Sequence, residues 1–461
     1  MDGKLAVEAI FAVSCAAMIY LVLRKPSVHL SLGPRRIKLE TYYIGALLGP
    51  TLLIASGLVN QSQIVRGLQG EGGLNPFGVL ILFLSMVFMS IYLDITGFFE
   101  YCARLALKFA GGDGRRLFFS LYIIVSILTV FTSNDIVILT FTPFVYYFSK
   151  NAGIDPKPYL ISEFFAANTW SMMLYIGNPT NILLASAFGI RFDQYLGWMF
   201  LPSVTAGMTN MILLYIIFRD RVRKPLTVLE ELAPSNALRD RGGAMLGLVI
   251  LGGCIGALAV APYLGIEMWV VSLGFALALL VILLAKDSAS AANGSGNGGR
   301  GGQLASTLKR MPVGIIPFVL ALFITVEALR LYGVTGDIGR LFSGISGDST
   351  ALYIYIFGVS SAISANFLNN IPMTVAYVPI SVSVSQAHLL AAVLATTIGS
   401  NLGANITPIG ALAGIMWMSI LREKEVRVTF TEFMRYGLTV TPVTLVVCLG
   451  VLALEFMAAT L

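Results

Sequence analysis

Thr132-Ser133-Asn134-Asp135 stands between two apolar arms, Leu117–Phe131 before it and Ile136–Phe148 after it. Neither arm reaches the roughly 20 apolar residues that a bilayer-crossing helix needs. The pattern predicts a re-entrant hairpin, whose irregular polar tip must be buried in protein or line a cavity. A second stretch repeats the design. Leu352–Phe367 runs into Leu368-Asn369-Asn370-Ile371-Pro372 and continues to about Val384.

Around these two hairpins the composition leaves no room for a soluble fold. Hydrophobic residues make up 57% of the 461 and charged residues 12%, against about 25% charged in soluble domains. The mean hydropathy of +0.83 agrees. Ten stretches are long and apolar enough to span: Leu5–Leu23, Tyr42–Val59, Pro76–Leu93, Tyr159–Phe188 (interrupted), Trp198–Phe218, Ala244–Pro262, Met268–Leu284, Pro312–Ala328, Leu389–Leu421 (interrupted) and Gly437–Phe456. The first carries only Lys4 ahead of it and no small-residue cleavage site before Arg24, so it reads as an anchor rather than a signal peptide. The fold class is an all-α polytopic membrane protein.

Charge placement sets the topology. With the N-terminus outside, 25 of the 30 Lys and Arg fall in inner segments and five in outer ones. That is the bias expected of cytoplasmic loops in a multi-pass protein of the plasma (inner) membrane. Reading either hairpin as a full span would reverse every later loop and abolish the bias. The net charge of +6 therefore records orientation and not a nucleic-acid surface. Four scattered cysteines and two histidines make no CxxC or Cys/His cluster, so no metal, disulfide framework or cofactor is expected. A proton or sodium gradient is left as the driving force, since no nucleotide motif appears.

The two halves carry the same parts in the same order. The hairpins differ in the side they enter from, judged by the Arg115, Arg116 and Lys150 flanks of the first. This is the signature of an inverted-topology repeat, the architecture of secondary transporters. The chain divides into an N-terminal anchor and loop (1–41), a first repeat (42–218, with hairpin 116–148 and broken helix 159–188) and a loop with a linking helix (219–262). The first helix of the second repeat (263–285), a glycine-rich flexible linker (286–310) and the rest of that repeat (311–461, with hairpin 351–384 and broken helix 388–421) follow.

Both broken spans have a helix-capping residue before proline: Gly177-Asn178-Pro179-Thr180-Asn181 and Ile406-Thr407-Pro408-Ile409-Gly410. Such a pair predicts a new helix start. The breaks Gly177, Pro179, Gly403 and Pro408, with Pro372 in the second tip, would bring four helix N-termini together. The side chains expected to bind substrate there are Ser133, Asn134, Asn178, Thr180, Asn181, Asn369, Asn370, Ser400, Asn401, Asn405 and Thr407. Ionisable groups at membrane depth are costly and usually functional. Asp135 leads as the proton or ion coupling residue, because its counterpart in the repeat is read as the neutral Asn370. Glu163 and Glu327 follow, the latter with Arg330 at helical spacing.

These motifs resemble the ion transporter superfamily, which includes ArsB-type arsenite efflux pumps, NhaD-type sodium/proton antiporters and sodium-coupled dicarboxylate and citrate carriers. The second half is most similar to the arsenite pumps: Val326-Glu327-Ala328-Leu329-Arg330, Asn369-Asn370-Ile371-Pro372 and Gly399-Ser400-Asn401-Leu402-Gly403 before Ile406-Thr407-Pro408. Where those pumps carry an acidic and then a basic residue, this chain has Asn401 and Asn405. The resemblance implies a non-enzymatic secondary transporter with an elevator-like motion. Its expected solute is arsenite, antimonite or another small oxyanion or metalloid exchanged for protons. Sodium/proton exchange and sodium-coupled carboxylate transport are the alternatives, as is a channel subunit of an ATPase-driven arsenite pump. The partners it brings are membrane lipid, a second copy in a homodimer and a separate ATPase subunit, with no nucleic acid.

Overall fold

Helix boundaries follow local capping chemistry. Asp113 accepts hydrogen bonds from the amides of Arg115 (2.7 Å) and Arg116 (3.1 Å) and opens one helix; Asn75 accepts from the Gly78 amide (2.9 Å) ahead of Pro76 and opens another. Each satisfies amides that a helix start leaves unpaired. The computed structural model describes residues 3–25, 27–32, 35–69, 75–223, 233–292 and 302–459.

The first half runs α1 (Gly3–Arg24), a two-stranded antiparallel hairpin of β1 (Ser27–Leu32) and β2 (Arg35–Glu40), α2 (Thr41–Ala55), α3 (Gln61–Gln69), α4 (Pro76–Ile95), α5 (Phe98–Ala110), α6 (Gly114–Phe131), α7 (Asn134–Asn151), α8 (Lys157–Trp170), α9 (Pro179–Ala187) and α10 (Phe192–Val222). The second runs α11 (Arg241–Val260), α12 (Met268–Ala292), α13 (Gln303–Lys309), α14 (Ile315–Leu331), α15 (Val334–Ser346), α16 (Thr350–Leu368), α17 (Asn370–Ser381), α18 (Gln386–Gly403), α19 (Leu412–Glu423) and α20 (Phe430–Ala459). Among the described residues the small β-hairpin is the one departure from the all-helical expectation. It falls in a charged loop between helices.

The halves pack reciprocally. α2 lies on α14 as α12 lies on α4; α17 lies on α9 as α7 lies on α19; α10 and α20 lie on each other. Such exchanged pairing is what two copies related by a two-fold produce. Both α6 and α7 pack on α5, and both α16 and α17 pack on α15, so each pair folds back as a hairpin. Small residues tighten the second half. A Cβ on Gly399 or Gly403 would collide with Ser361 or with the Ala362 backbone of α16. Close approach of this kind is a common device for packing helices in lipid.

Among the described residues eight helices are long and apolar enough to cross a membrane: α1, α4, α6, α10, α11, α12, α16 and α20. α14 and α15 reach that length and hydropathy only when taken together, across a bend of 69°. This count differs from the ten stretches in the sequence for a physical reason. The two interrupted stretches split into separate helices, α2 ends after 15 residues, and the first arm of each hairpin is longer than its apolar core indicates. Burial separates centre from rim: 83% of the α4 window is enclosed and 17% of the α12 window.

The expected linker at 286–310 is shorter than its composition suggests. α12 continues to Ala292, and α13 begins at Gln303, where Asp287 accepts from the amides of Gln303 and Leu304 (both 3.1 Å). The glycine-rich residues 293–301 lie outside the described residues.

Candidate functional site

The break between α8 and α9 is built as the sequence predicts. α8 ends at Trp170, a short turn follows at Tyr175–Gly177, and Asn178 caps α9 by accepting from the Thr180 amide (3.2 Å). Pro179 is the first residue of the new helix, where a missing N–H costs nothing. Gly177 is held so close to the Ser171 carbonyl that a side chain has no space.

The second break departs from expectation. α18 ends at Gly403, but α19 starts at Leu412 and not at Pro408. The intervening carbonyls are occupied by the second hairpin tip: the Asn370 amide donates to Gly410 O (2.9 Å) and Asn369 Nδ2 to Ile409 O (3.0 Å). A chain whose carbonyls face outward to these donors cannot coil at Pro408. The tip itself also shifts the repeat register. α7 begins at Asn134 behind Ser133, and α17 begins at Asn370 behind Asn369. The counterpart of Asp135 is therefore Ile371 and not Asn370, and Ser133 answers Asn369.

Between the breaks, side chains from both halves form one buried hydrogen-bond network. Asn134 Nδ2 donates to Asn168 Oδ1 (2.9 Å), and Asn168 Nδ2 donates to Asn405 Oδ1 (3.2 Å). Thr169 Oγ1 accepts from Asn405 (3.3 Å) and from Asn210 (3.0 Å). Asn401 is the hub. It accepts from Ser171 Oγ and Asn178 Nδ2 (both 2.9 Å) and donates to Asn181 Oδ1 (2.8 Å). Ser400 Oγ reaches Thr180 Oγ1 at 3.1 Å. All these residues are buried, and none is Lys, Arg or His. The network keeps spare capacity, since Asn134 Oδ1, Asn210 Oδ1 and Ser133 Oγ have no partner among the described residues.

Seven of the eleven expected binding residues thus meet directly: Asn134, Asn178, Thr180, Asn181, Ser400, Asn401 and Asn405. Ser133 is buried at the tip beside them. Asn369, Asn370 and Thr407 belong to a separate knot within the second half, where Thr407 Oγ1 donates to Asn366 Oδ1 (2.6 Å). Pro372 is the third residue of α17, within the turn whose amides lack helical partners. Asn168, Thr169, Ser171, Asn210 and Asn366 were not read from the sequence. A lone Asn in an otherwise apolar span, as at Asn210 and Asn366, is the signal that could have found two of them.

The acidic residues separate. Asp135 is half-buried in the first turn of α7, with no hydrogen bond or ion pair among the described residues. Glu163 is 1% exposed at the α7–α8 contact; its Oε1 accepts from Thr142 Oγ1 (2.9 Å) and its Oε2 has no partner among the described residues. Glu327 does not reach the site. It pairs with Arg330 one turn away (2.6 Å) at the rim of a cavity of about 460 Å³ beside α15 and α17. A larger cavity of about 720 Å³ opens between α5 and α7, lined by Asp94, Arg104, Thr140, Phe144, Arg239 and Arg310 among others. Among the described residues no group of three or more His, Cys, Asp or Glu comes together.

Comparison with known proteins joins this geometry to a family. The model of the citrate transporter family matches residues 41–399. The chain belongs to this family. It is a multi-pass integral membrane protein and a secondary transporter of the kind that includes the arsenical pumps. The arsenical pump membrane protein of Escherichia coli is 26% identical over 89% of this chain and 92% of its own length. The putative arsenical pump membrane protein of Bacillus subtilis is 24% identical, over 87% and 91%. In fold, this family member is similar to the crystal structure of the Alcanivorax borkumensis YdaH transporter, with a TM-score of 0.55 at 13% identity and 98% of both chains covered.

Proposed function

We propose that the chain exports a neutral trihydroxide, arsenite or antimonite, in exchange for protons across the inner membrane, with both termini outside. The observation that carries this reading is the network around Asn401, made of Asn, Ser and Thr without a cationic or thiol group. As(OH)3 offers three hydroxyls that donate and accept, and amide and hydroxyl side chains match both roles. A citrate-like trianion would call for basic side chains, and the network has none. Arsenical pumps among the relatives support the same choice.

The coupling proton is carried by Asp135, adjacent to Asn134 and without a fixed partner among the described residues, with Glu163 as a second station at Thr142, two turns further along α7. The hairpins and broken helices move against a frame that includes α4, α5, α14 and α15. Arsenite uptake into everted vesicles tests the proposal. Uptake should require an imposed pH gradient and collapse with a protonophore. Gradient-independent uptake, or none with arsenite and antimonite while citrate or sodium is moved, overturns it.

A further inference from the structure

The 720 Å³ cavity lies where the mobile arm α7 faces the frame helices α4 and α5, and one polar tie crosses its wall. Asp94, near the C-terminal end of α4, has a side chain only 9% exposed. Its Oδ1 accepts from Thr140 Oγ1 of α7 (3.1 Å), and its Oδ2 pairs with Arg310 at the end of α13 (2.6 Å). One carboxylate thus joins the hairpin, the frame and the segment connecting the halves. Arg104 and Arg239 of the same cavity both pair with Glu100, so they leave Asp94 to Arg310.

The repeat shows that this tie is not part of the shared architecture. Gly97 (φ 88°) and Gly333 (φ 78°) open α5 and α15, and Pro143 and Pro379 occupy the same position along α7 and α17. In that register Asp94 corresponds to Arg330, and Thr140 to Ala376. Ala376 cannot donate a side-chain hydrogen bond, and Arg330 holds Glu327 of its own helix. The cavity beside α17 therefore has no equivalent of the Asp94–Thr140 tie. Thr140 is six residues beyond Asn134 on α7, about 9 Å along the helix, so a shift of the arm at Thr140 is felt at the network.

We propose that Asp94 is a positioning residue for transport, a latch that holds α7 against α4 while the tip is closed and must release for the arm to move. Arg310 fixes the carboxylate, and Thr140 is the group it lets go. The inference rests on the transporter reading but not on the identity of the solute.

The test uses the full chain with its four cysteines replaced and a single cysteine introduced at Ser133, which is 5% exposed. Labelling by a small membrane-permeant maleimide reports opening of the tip whatever the solute. Thr140→Val, nearly the same shape, should raise the labelling rate about tenfold, the worth of one hydrogen bond to a charged group. Thr140→Ser should restore the slow rate. Asp94→Asn and Arg310→Gln should accelerate labelling too, and they carry the test if Thr140→Val does not reach the membrane. Labelling unchanged in these variants, or equally fast in Thr140→Ser and Thr140→Val, overturns the proposal. Failure of arsenite transport in its own test leaves this outcome unchanged.

Discussion

The two hairpin tips are built on one plan and held by different chemistry. The first is tied by side chains across the halves, through Asn134, Asn168 and Asn405. The second is tied to main-chain carbonyls of its own half, by the Asn370 amide on Gly410 and Asn369 Nδ2 on Ile409, with Asn369 at φ 72°, ψ 152°. That backbone region is close to glycine-only, and an Asn held there stores strain. Side-chain amides can exchange their partners for the hydroxyls of a solute; a main-chain bond in a fixed turn cannot do so as readily. On the proposed function this difference amounts to a division of labour: the first tip, which carries a carboxylate, responds to the solute, and the second stays fixed to its own half.

The sharpest way to break this comparison is to remove its acidic asymmetry. Asp135→Asn makes the first tip neutral like the second. Gradient-driven uptake should fall at least a hundredfold, on the order of 3 kcal/mol, while exchange of solute at equal pH survives. Uptake that still follows the pH gradient would show that the tips do not differ in coupling.

Next in size is the hub that both halves share. Asn401→Leu strands Ser171, Asn178 and Asn181, each buried. Leaving several buried polar groups unpaired should cost on the order of 3 kcal/mol, read as a lower melting temperature in detergent, with loss of transport. The tips themselves can then be compared directly. Asn134→Ala removes a side-chain bond and should cost roughly 1–2 kcal/mol and most of the transport rate. Asn370→Ala keeps its amide on Gly410 and should cost well under half as much in the same melting assay. Equal losses would argue that the tips are chemically alike.

Much of this plan is legible in residues whose chemistry is local. Asn178-Pro179 caps and starts a helix in the sequence and in the fold, because both effects act within one turn. Thr407-Pro408 carries the same local signal, yet α19 waits until Leu412, because Asn369 and Asn370 from a distant hairpin take the carbonyls first. Counted from the helix starts, Asp135 stands level with Ile371 and not with Asn370, because likeness of residues carries no information on where each helix begins. Glu327 has the hydropathy context of a site residue, but it pairs with Arg330 at a cavity rim near the bend of 69° into α15, apart from the network. Asn168 and Thr169 escaped notice because a network's members are defined by partners in the other half, which no local pattern records.

The smallest effect expected lies outside both tips, at the joint where α11, α12 and α13 meet. Asp240 caps α11 through the Gly243 amide (2.8 Å) and also accepts from Lys286 and from Gln303 Nε2 (2.9 Å). Burial raises its pKa, but these hydrogen bonds and the Lys286 charge outweigh that and bring it down to about 2. An unfolded aspartate titrates near 3.9. The folded value is the lower, so the contribution is complete above the unfolded pKa and disappears as pH falls through about 2. Solvent screening limits it to about 1 kcal/mol. Melting temperature should thus decline between roughly pH 4 and pH 2, and Asp240→Asn should flatten that part of the profile while leaving uptake at neutral pH intact. If uptake falls with the melting temperature, the joint is coupled to the tips, and the division of labour between them must include the connection that holds α11, α12 and α13 together.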